Sequence, residues 1–199
     1  SLFRISDQGI QVFGGNGFSE EYPLARLYRD TRIDRIFEGT NEINRLLLVD
    51  NVLKKGAKKV LPIMEEAEKA FEEVKGLSTA PAPAEGYFEE KDQYVANLKK
   101  VVLMLLKAVS EKITRQLVTE QEILSNISDC IIQVYVAESV VLRVKKMEAM
   151  KGEAYGKLYR DMCDVFVYDA AARIAKFASD TTYSFAYGET RDLLEKGIS

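Results

Sequence analysis

The sequence predicts an all-α fold: a helical bundle of the four-helix up-down type, preceded by a partial helical segment. Prolines are scarce, with four in 199 residues, and none follows Pro83. The stretch between Gly86 and Gly152 contains neither glycine nor proline, which makes it far too long for one strand. Its apolar residues recur at alternating intervals of three and four, which is the period of one face of a packed helix.

The stretch after Gly86 is predicted to form two antiparallel helices. Thr119 and Glu122 have capping-box spacing, so we expect the second helix to begin there and to end at Gly152. The apolar face of the first helix is Val95, Leu98, Val102, Leu105, Val109 and Ile113. The apolar face of the second is Ile123, Ile127, Cys130, Val134, Ala137, Val141 and Val144.

A third long helix is predicted at about residues 156–186. Gly188 can end this helix, and Thr190 can cap a short last one. Its expected apolar positions are Leu158, Met162, Val165, Ala172 and Ala175.

The first third of the chain is also helical but more broken. The segment GGNGF at 14–18 interrupts an early helix, and Ser19 with the two glutamates after it can open the next. A further helix is expected from Thr40 to Gly56, and another at about 57–76.

The segment STAPAPAEG at 78–86 is small, proline-rich and polar, which is typical of a linker. It predicts two parts, residues 1–77 and residues 87–199. The second part can form a helical bundle by itself. The first part has apolar faces but too few partners to build a good core, and we expect it to be incomplete.

Composition limits the classes of function. Hydrophobic residues make up 47% and charged residues 30%, and the net charge of −3 gives no reason to expect a nucleic-acid partner. No apolar run approaches the length of a bilayer span, and no signal peptide is visible. We therefore expect a cytoplasmic protein, or a mitochondrial-matrix protein if the source is eukaryotic.

Cysteine and histidine usage narrows the chemistry further. Cys130 and Cys163 lie far apart within helical patterns, and we interpret them as buried free thiols rather than a disulfide or a nucleophile. The sequence contains no histidine, which removes Ser-His-Asp and Cys-His catalysis and most zinc sites. We expect no metal site, so chemistry must use carboxylates, lysines, tyrosines or a bound cofactor.

The segment QVFGGNG at 11–17 invites comparison with phosphate-binding glycine loops. It matches neither GxGxxG nor GxxxxGK[ST], and its surroundings do not indicate a βαβ unit. By itself it is better interpreted as a helix C-cap in which Gly14 or Gly15 adopts the left-handed conformation.

The segment EYPLARLYRDTRIDRI at 21–36 is rich in arginine. Its four arginines alternate with Asp30 and Asp34 at helical spacing. A phosphate-binding strip remains an alternative, but such alternation more often forms ion pairs within and between helices, and we favour that interpretation.

Glu38 is the most informative residue of the chain. Ile36 and Phe37 precede it, and Gly39-Thr40 follows at a predicted helix start. A carboxylate buried among apolar groups loses solvation and becomes more basic, which suits a general base. Taken alone, the segment equally fits a glutamate that merely belongs to the first turn of a helix.

The three segments together decide between these alternatives. Residues 11–48 closely resemble the C-terminal signature of the flavin-dependent acyl-CoA dehydrogenases. The resemblance joins Gln-x-x-Gly-Gly-x-Gly, the Arg-Asp-x-Arg helix and Phe-Glu-Gly-Thr-Asn-Glu-Ile. It implies an FAD-dependent conversion of acyl-CoA thioesters to trans-2-enoyl-CoA, as in fatty-acid β-oxidation.

The resemblance assigns roles to individual residues. Glu38 matches the catalytic base that removes the α-proton of the substrate. The match implies that the Glu38 side chain is buried and that its backbone N–H is directed at the thioester carbonyl. Phe37 and Gly39 match positions beside the substrate. Two segments match positions that contact FAD in the family. Gln11, Val12, Phe13, Gly14 and Gly15 match the segment that reaches the FAD pyrophosphate and adenine of a neighbouring subunit, and Thr40, Asn41 and Glu42 match a second segment that touches FAD.

The same resemblance implies that much of the enzyme lies outside this chain. Family members have an N-terminal helical domain and a middle β-domain that hold most of the flavin and CoA, so we expect a C-terminal fragment that is inactive alone. Residues 87–199 resemble in architecture the extension of very-long-chain acyl-CoA dehydrogenases, which completes a dimer and contacts a membrane. The sequence itself shows no basic amphipathic face that argues for membrane contact.

The resemblance also implies partners. We expect a homo-oligomer, a dimer or higher, and an electron-transferring flavoprotein as electron acceptor. An alternative function for the fragment is a helical dimerisation or interaction module without its own chemistry. A relative that has moved to nitroalkanes or aryl amines is a third alternative, which the intact Glu-Gly-Thr segment disfavours.

Overall fold

The computed structural model describes residues 2–77, 84–113 and 119–199, and within these ranges it contains nine α-helices and no strand. The all-α prediction is therefore confirmed. The helices are α1 (Leu2–Phe13), α2 (Gly15–Phe18), α3 (Pro23–Ile33), α4 (Asn41–Ala57), α5 (Ile63–Gly76), α6 (Tyr87–Lys112), α7 (Gln121–Lys151), α8 (Glu153–Phe185) and α9 (Glu189–Ile198).

The chain forms two compact units, Ser1–Arg45 and Leu46–Ser199. The boundary between them falls inside α4, well before the predicted linker. Most of that linker lies outside the described residues, so its role stays a prediction.

The first unit has few buried side chains. Its helices α1 and α3 pack through the hydroxyl groups of Ser6 and Thr31, which lie 2.9 Å apart and are almost fully buried. Gly17 sits so close to α1 that a Cβ atom there would lie 2.6 Å from the carbonyl oxygen of Ile10. No large apolar side chain described in this unit is fully buried. The expectation of an incomplete part was made for residues 1–77 and stays a prediction.

The second unit is built on antiparallel neighbours. In each pair of neighbouring helices, residues near the start of one helix contact residues near the end of the other, which shows that the two helices run antiparallel. These contacts are Lys100–Glu73 and Lys107–Glu68 between α5 and α6, Lys99–Glu138 and Lys145–Asp92 between α6 and α7, and Arg160–Glu148 and Cys130–Ile174 between α7 and α8. Four consecutive helices, α5 to α8, thus run up and down, which is the predicted type of bundle, although the prediction placed the bundle in residues 87–199 without α5.

The core of this unit follows the predicted faces of α6 and α7. All seven predicted apolar positions of α7 are buried, and on α6 only Leu98 and Ile113 are partly exposed. Helix α5 adds Ile63, Ala67, Ala70, Phe71 and Val74 to this core, and α4 adds Val49. Because these side chains cover the bundle, residues 46–77 belong to the second unit rather than to a unit with residues 1–45.

The predicted face of α8 is wrong. Leu158, Met162 and Val165 are 60%, 57% and 64% exposed, Ala172 is also exposed, and Ala175 is half-buried. The buried apolar positions of α8 are Cys163, Val167, Ala170, Ile174 and Ala178. Both sets have helical spacing, so periodicity alone could not distinguish the face that packs on α7.

The predicted helix beginning at 57 is also wrong, because α4 ends in a Schellman-type cap. The N–H of Lys59 donates to the carbonyl of Gly56 at 2.9 Å, and the N–H of Val60 donates to that of Lys55 at 2.9 Å. Lys59 takes a φ of 55°, a conformation usually given to glycine. Helix α5 then begins after Pro62.

Three other helix boundaries test the capping predictions. Gly152 ends α7 with a φ of 86°, as predicted. Helix α7 begins at Gln121 with Glu120 at the N-cap, one residue after the predicted Thr119. Helix α9 begins at Glu189 with Gly188 at the N-cap, so Thr190 lies inside its first turn instead of capping it.

Both cysteines are buried and free, as predicted. Burial raises the pKa of the Cys130 thiol to about 12. None of the helices in the described ranges is long and apolar enough to cross a membrane.

Candidate active site

The segment around Glu38 forms a tight turn between α3 and α4. Glu38 has a φ of 52° and Gly39 a φ of 85°, so two successive residues take the left-handed conformation. For a residue with a Cβ atom this conformation costs about 1–2 kcal/mol. Such a residue persists only where surrounding contacts fix the backbone, and it often marks a functional site.

Hydrogen bonds close this turn from both ends. The N–H of Asn41 donates to the carbonyl of Arg35 at 3.2 Å, which encloses residues 36–40 in one loop. The side-chain amide Nδ2 of Asn44 donates to the carbonyl of Gly39 at 2.8 Å. The sequence does not predict these two bonds, because Arg35 accepts through its backbone carbonyl and Asn44 belongs to none of the predicted motifs.

The start of α4 is capped by Thr40. Its hydroxyl accepts a hydrogen bond from the N–H of Ile43 at 3.3 Å, which confirms the predicted helix start. Glu42 lies in the first turn, where a bond to its own backbone N–H and a bond with the Thr40 hydroxyl lower the pKa of its carboxyl group. This arrangement keeps a negative charge at the positive end of the helix.

The expected burial of Glu38 is wrong for this chain. Its side chain is exposed, and its apolar neighbours Ile36 and Phe37 are 50% and 49% exposed. The first unit supplies no side chains to cover this turn. Among the described residues, no hydrogen bond uses the backbone N–H of Glu38, so an exposed side chain and an unbonded N–H belong to the same residue.

The glycine segment lies at the end of α1. Gly14 has a φ of 58° with a ψ of −138°, lies between α1 and α2 as the N-cap of α2, and donates its N–H to the carbonyl of Gln11 at 3.2 Å. It separates the two helices with a positive φ but does not take the left-handed helical conformation of the predicted C-cap. Gly15 begins α2. No atom lies within 4 Å of a Cβ built on either glycine, and Val12 and Phe13 are exposed.

The structure brings some of the predicted site residues together. Phe37, Glu38, Gly39, Thr40, Asn41 and Glu42 share one turn and the helix start that follows it. Gln11 to Gly15 lie in the same compact unit. In the described part of the chain, no hydrogen bond or ion pair joins the two segments.

The arginine-rich helix α3 forms surface ion pairs. Arg26 lies 3.6 Å from Asp30, and Arg29 lies 3.7 Å from Glu20, with all four side chains mostly exposed. The guanidinium of Arg35 stacks over the ring of Phe3 at 5.1 Å. These contacts support the structural interpretation of the arginines, and pairs this exposed contribute little to stability.

Comparison with known proteins identifies the family. A family model described as "Acyl-CoA dehydrogenase, C-terminal domain" matches residues 97–197, half of the chain. The chain belongs to the acyl-CoA dehydrogenase family. A second model with the same description matches residues 1–53, which include the Glu38 turn and the glycine segment of this acyl-CoA dehydrogenase chain.

Individual relatives agree with this assignment. A probable acyl-CoA dehydrogenase of Bacillus subtilis is 38% identical over 96% of this chain and 32% of its own length. The very long-chain specific acyl-CoA dehydrogenase of Bos taurus is 29% identical over 87% of this chain and 29% of its own length. The chain thus spans about a third of the length of these acyl-CoA dehydrogenases.

A solved structure shows the same fold. The crystal structure of acyl-CoA dehydrogenase complexed with FAD from Bacillus anthracis matches with a TM-score of 0.85 and 36% identity. The match covers 97% of this acyl-CoA dehydrogenase chain and 32% of the Bacillus anthracis chain.

Proposed function

We propose that the protein containing this chain dehydrogenates acyl-CoA thioesters to trans-2-enoyl-CoA, with Glu38 as the catalytic base. The observation that carries the proposal is the left-handed turn, which presents a carboxylate and an unused backbone N–H at the same residue. Removal of a proton from the carbon beside a thioester needs a base. It also needs a hydrogen-bond donor that stabilises the negative charge developing on the carbonyl oxygen. Glu38 supplies both.

The neighbours of Glu38 suit an acyl thioester. Ile36 and Phe37 expose apolar surface that an acyl chain would cover, and this would exclude water from the carboxylate. Gly39 has no side chain, so a thioester can approach the backbone closely. The chain's own contribution is to position the substrate, accept the α-proton and stabilise the enolate oxygen.

The glycine segment fits an FAD-binding role. Gly14 and Gly15 leave open space where side chains would stand, so a phosphate can approach the backbone there. We propose that Gln11 to Gly15, together with Thr40, Asn41 and Glu42, contact FAD. When bound, FAD supplies the acceptor for the β-hydride. Support comes from the FAD complex of the Bacillus anthracis relative.

The isolated chain should be inactive. It spans about a third of its relatives, and in the first unit the side chains around Glu38 are exposed. We therefore propose that the remaining parts of the enzyme cover this turn and hold most of the FAD. A homo-oligomer and an electron-transferring flavoprotein as acceptor belong to the same proposal.

The test uses the whole flavoprotein that contains this chain. We expect purified protein to carry FAD and to bleach when saturated acyl-CoA is added without an electron acceptor. The Glu38→Gln variant should still bind FAD, but acyl-CoA should reduce this FAD about 10²- to 10⁴-fold more slowly than in wild type. Glu65→Gln, an exposed glutamate of α5, is the matched control and should behave as wild type.

A second candidate function is subunit association through the bundle. It is favoured by Leu158, Met162 and Val165, which expose an apolar stripe along α8. Light scattering of the 199-residue chain over a range of concentrations tests it. A mass that stays monomeric at all concentrations would count against this candidate.

A further inference from the structure

Asn44 lies one turn into α4 and reaches back to the turn that carries Glu38. We infer that Asn44 is a positioning residue, whose side-chain amide holds the Gly39 carbonyl and thereby keeps Glu38 in its left-handed conformation. The inference rests on the proposed function of Glu38. It adds a determinant of the reaction that lies outside the Phe-Glu-Gly-Thr-Asn-Glu-Ile segment.

The direction of helical side chains explains why position 44 can do this. Side chains of a helix lean toward its N-terminus, so a residue in the first turns overhangs the segment that precedes the helix. The backbone N–H of Asn44 donates to the carbonyl of Thr40 at 2.9 Å, which fixes its place in the helix. Its Nδ2 then lies 2.8 Å from the carbonyl oxygen of Gly39.

This bond is not part of helix capping. A capping side chain accepts a hydrogen bond from a free N–H of the first turn, and the Thr40 hydroxyl already does so for Ile43. Asn44 donates instead, and its acceptor is a carbonyl outside the helix. The contact therefore restrains the turn before α4 and leaves the helix N-terminus unaffected.

Two tethers leave Glu38 little freedom. The bond from the Asn41 N–H to the Arg35 carbonyl closes the loop of residues 36–40, and the Asn44 bond fixes the peptide that follows Gly39. Glu38 lies between these two fixed points with a φ of 52°. A glutamate favours negative φ, so releasing one tether lets the backbone relax and turns the carboxylate and N–H away together.

The same side chain also determines which residue fits at position 39. A Cβ atom on Gly39 would lie 2.8 Å from the Oδ1 atom of Asn44. Gly39 is therefore favoured by its φ of 85°, and a side chain there would displace the Asn44 amide from its bond to the Gly39 carbonyl. The two positions should be coupled in their effect on the reaction.

The test compares variants of the whole flavoprotein. Asn44→Leu keeps the approximate size of the side chain but removes the donor, Asn44→Gln restores an amide, and Asn51→Leu is the control at an exposed asparagine on the same helix. Asn44→Leu should lower the rate of FAD reduction at saturating acyl-CoA about tenfold, since one exposed hydrogen bond is lost. FAD content and the Kd of acyl-CoA should stay unchanged, and Asn44→Gln should recover most of the rate.

Amide hydrogen exchange separates this inference from the proposed function. Asn44→Leu should speed exchange at the Asn41 N–H, which is bonded to the Arg35 carbonyl at 3.2 Å, whatever Glu38 does in the reaction. If Glu38→Gln reduces FAD normally, Glu38 is not the base and the positioning role falls with it. If Glu38→Gln is inactive while Asn44→Leu matches Asn51→Leu in rate and exchange, the role of Asn44 alone is overturned. A loss of bound FAD that accounts for the slower rate would also overturn it.

Discussion

The ammonium group of Lys91 lies 2.9 Å from the Oδ1 atom of Asp164, and this ion pair joins the start of α6 to α8. The Lys91 side chain is largely buried, and the hydroxyl of Tyr87 donates to the same carboxylate oxygen at 3.0 Å. The ammonium also faces the rings of Tyr87 and Tyr94 at 5.1 and 5.4 Å. A buried cation held in this way depends strongly on its partner.

Asp164→Asn should therefore destabilise the bundle. Loss of the carboxylate leaves the buried ammonium with only the more distant Glu90 carboxylate at 3.5 Å, and we expect the free energy of unfolding to fall by about 1–3 kcal/mol. Urea unfolding of the 199-residue chain, followed by circular dichroism, measures the change. Asp180→Asn removes a carboxylate from the more exposed Lys176–Asp180 pair and should cost much less. Equal losses in the two variants would contradict this account.

The Lys91 pair also predicts a pH dependence. Burial lowers the pKa of Lys91, but the hydrogen bonds and charges of Asp164 and, to a smaller extent, Glu90 together outweigh burial, and the pKa is raised above the ordinary 10.5. A lysine with a raised pKa stabilises the folded state fully below the unfolded value and loses this effect as the pH rises through the folded value. The difference in unfolding free energy between wild type and Asp164→Asn should be constant at neutral pH and shrink above about pH 10.5. A difference that shrinks between pH 6 and 8 would contradict it.

Thr181 and Thr182 offer a stabilising substitution. Their hydroxyl groups are fully buried and, in the part of the chain that the structure describes, have no hydrogen-bond partner. Thr181→Val has nearly the same shape and removes the unpaired hydroxyl, so we expect it to stabilise the bundle by about 1 kcal/mol. Thr31→Val is the matched control, because that hydroxyl is bonded to Ser6 and to the Tyr28 carbonyl, and its loss should destabilise. Thermal unfolding gives the sign of each change, and a lower Tm for Thr181→Val would contradict the prediction.

Lys59 offers a second stabilising substitution, through backbone conformation. Lys59 lies in the cap that follows α4 and has a φ of 55°, a conformation that glycine takes without steric cost. Lys59→Gly should therefore raise the free energy of unfolding by about 0.5–1 kcal/mol. Lys58→Gly, one residue earlier, should instead lower it because it adds a flexible residue where the N–H of Lys58 still bonds to the carbonyl of Lys54. Destabilisation by both variants would show that the Lys59 side chain matters more than its φ.

The sequence predicts the long helices well because their apolar faces repeat without interruption. The faces of α6 and α7 are correct nearly residue by residue. For α8 the prediction fails, because this helix carries two apolar stripes of helical spacing, and each combines large and small side chains. The packed stripe includes Ala170 and Ala178 beside Ile174, so hydrophobicity alone does not indicate which stripe is buried.

The candidate site also has features that the sequence predicts and features that it does not. Glu38 and its neighbours are found from the motif, since residue types and spacing are local. The left-handed φ of Glu38 and the bond from Asn44 to the Gly39 carbonyl are not, because both depend on how the turn closes. Burial of Glu38 was expected from the motif, yet the first unit of this chain leaves the side chain exposed.

The most direct test of the central claim is exchange of the α-hydrogens of acyl-CoA with deuterium from heavy water. In the whole flavoprotein this exchange reports proton removal without requiring hydride transfer. We predict that wild type and Glu65→Gln incorporate deuterium at the α-carbon, and that Glu38→Gln does so about 10²- to 10⁴-fold more slowly. Incorporation at the wild-type rate by Glu38→Gln would contradict the assignment of Glu38 as the base.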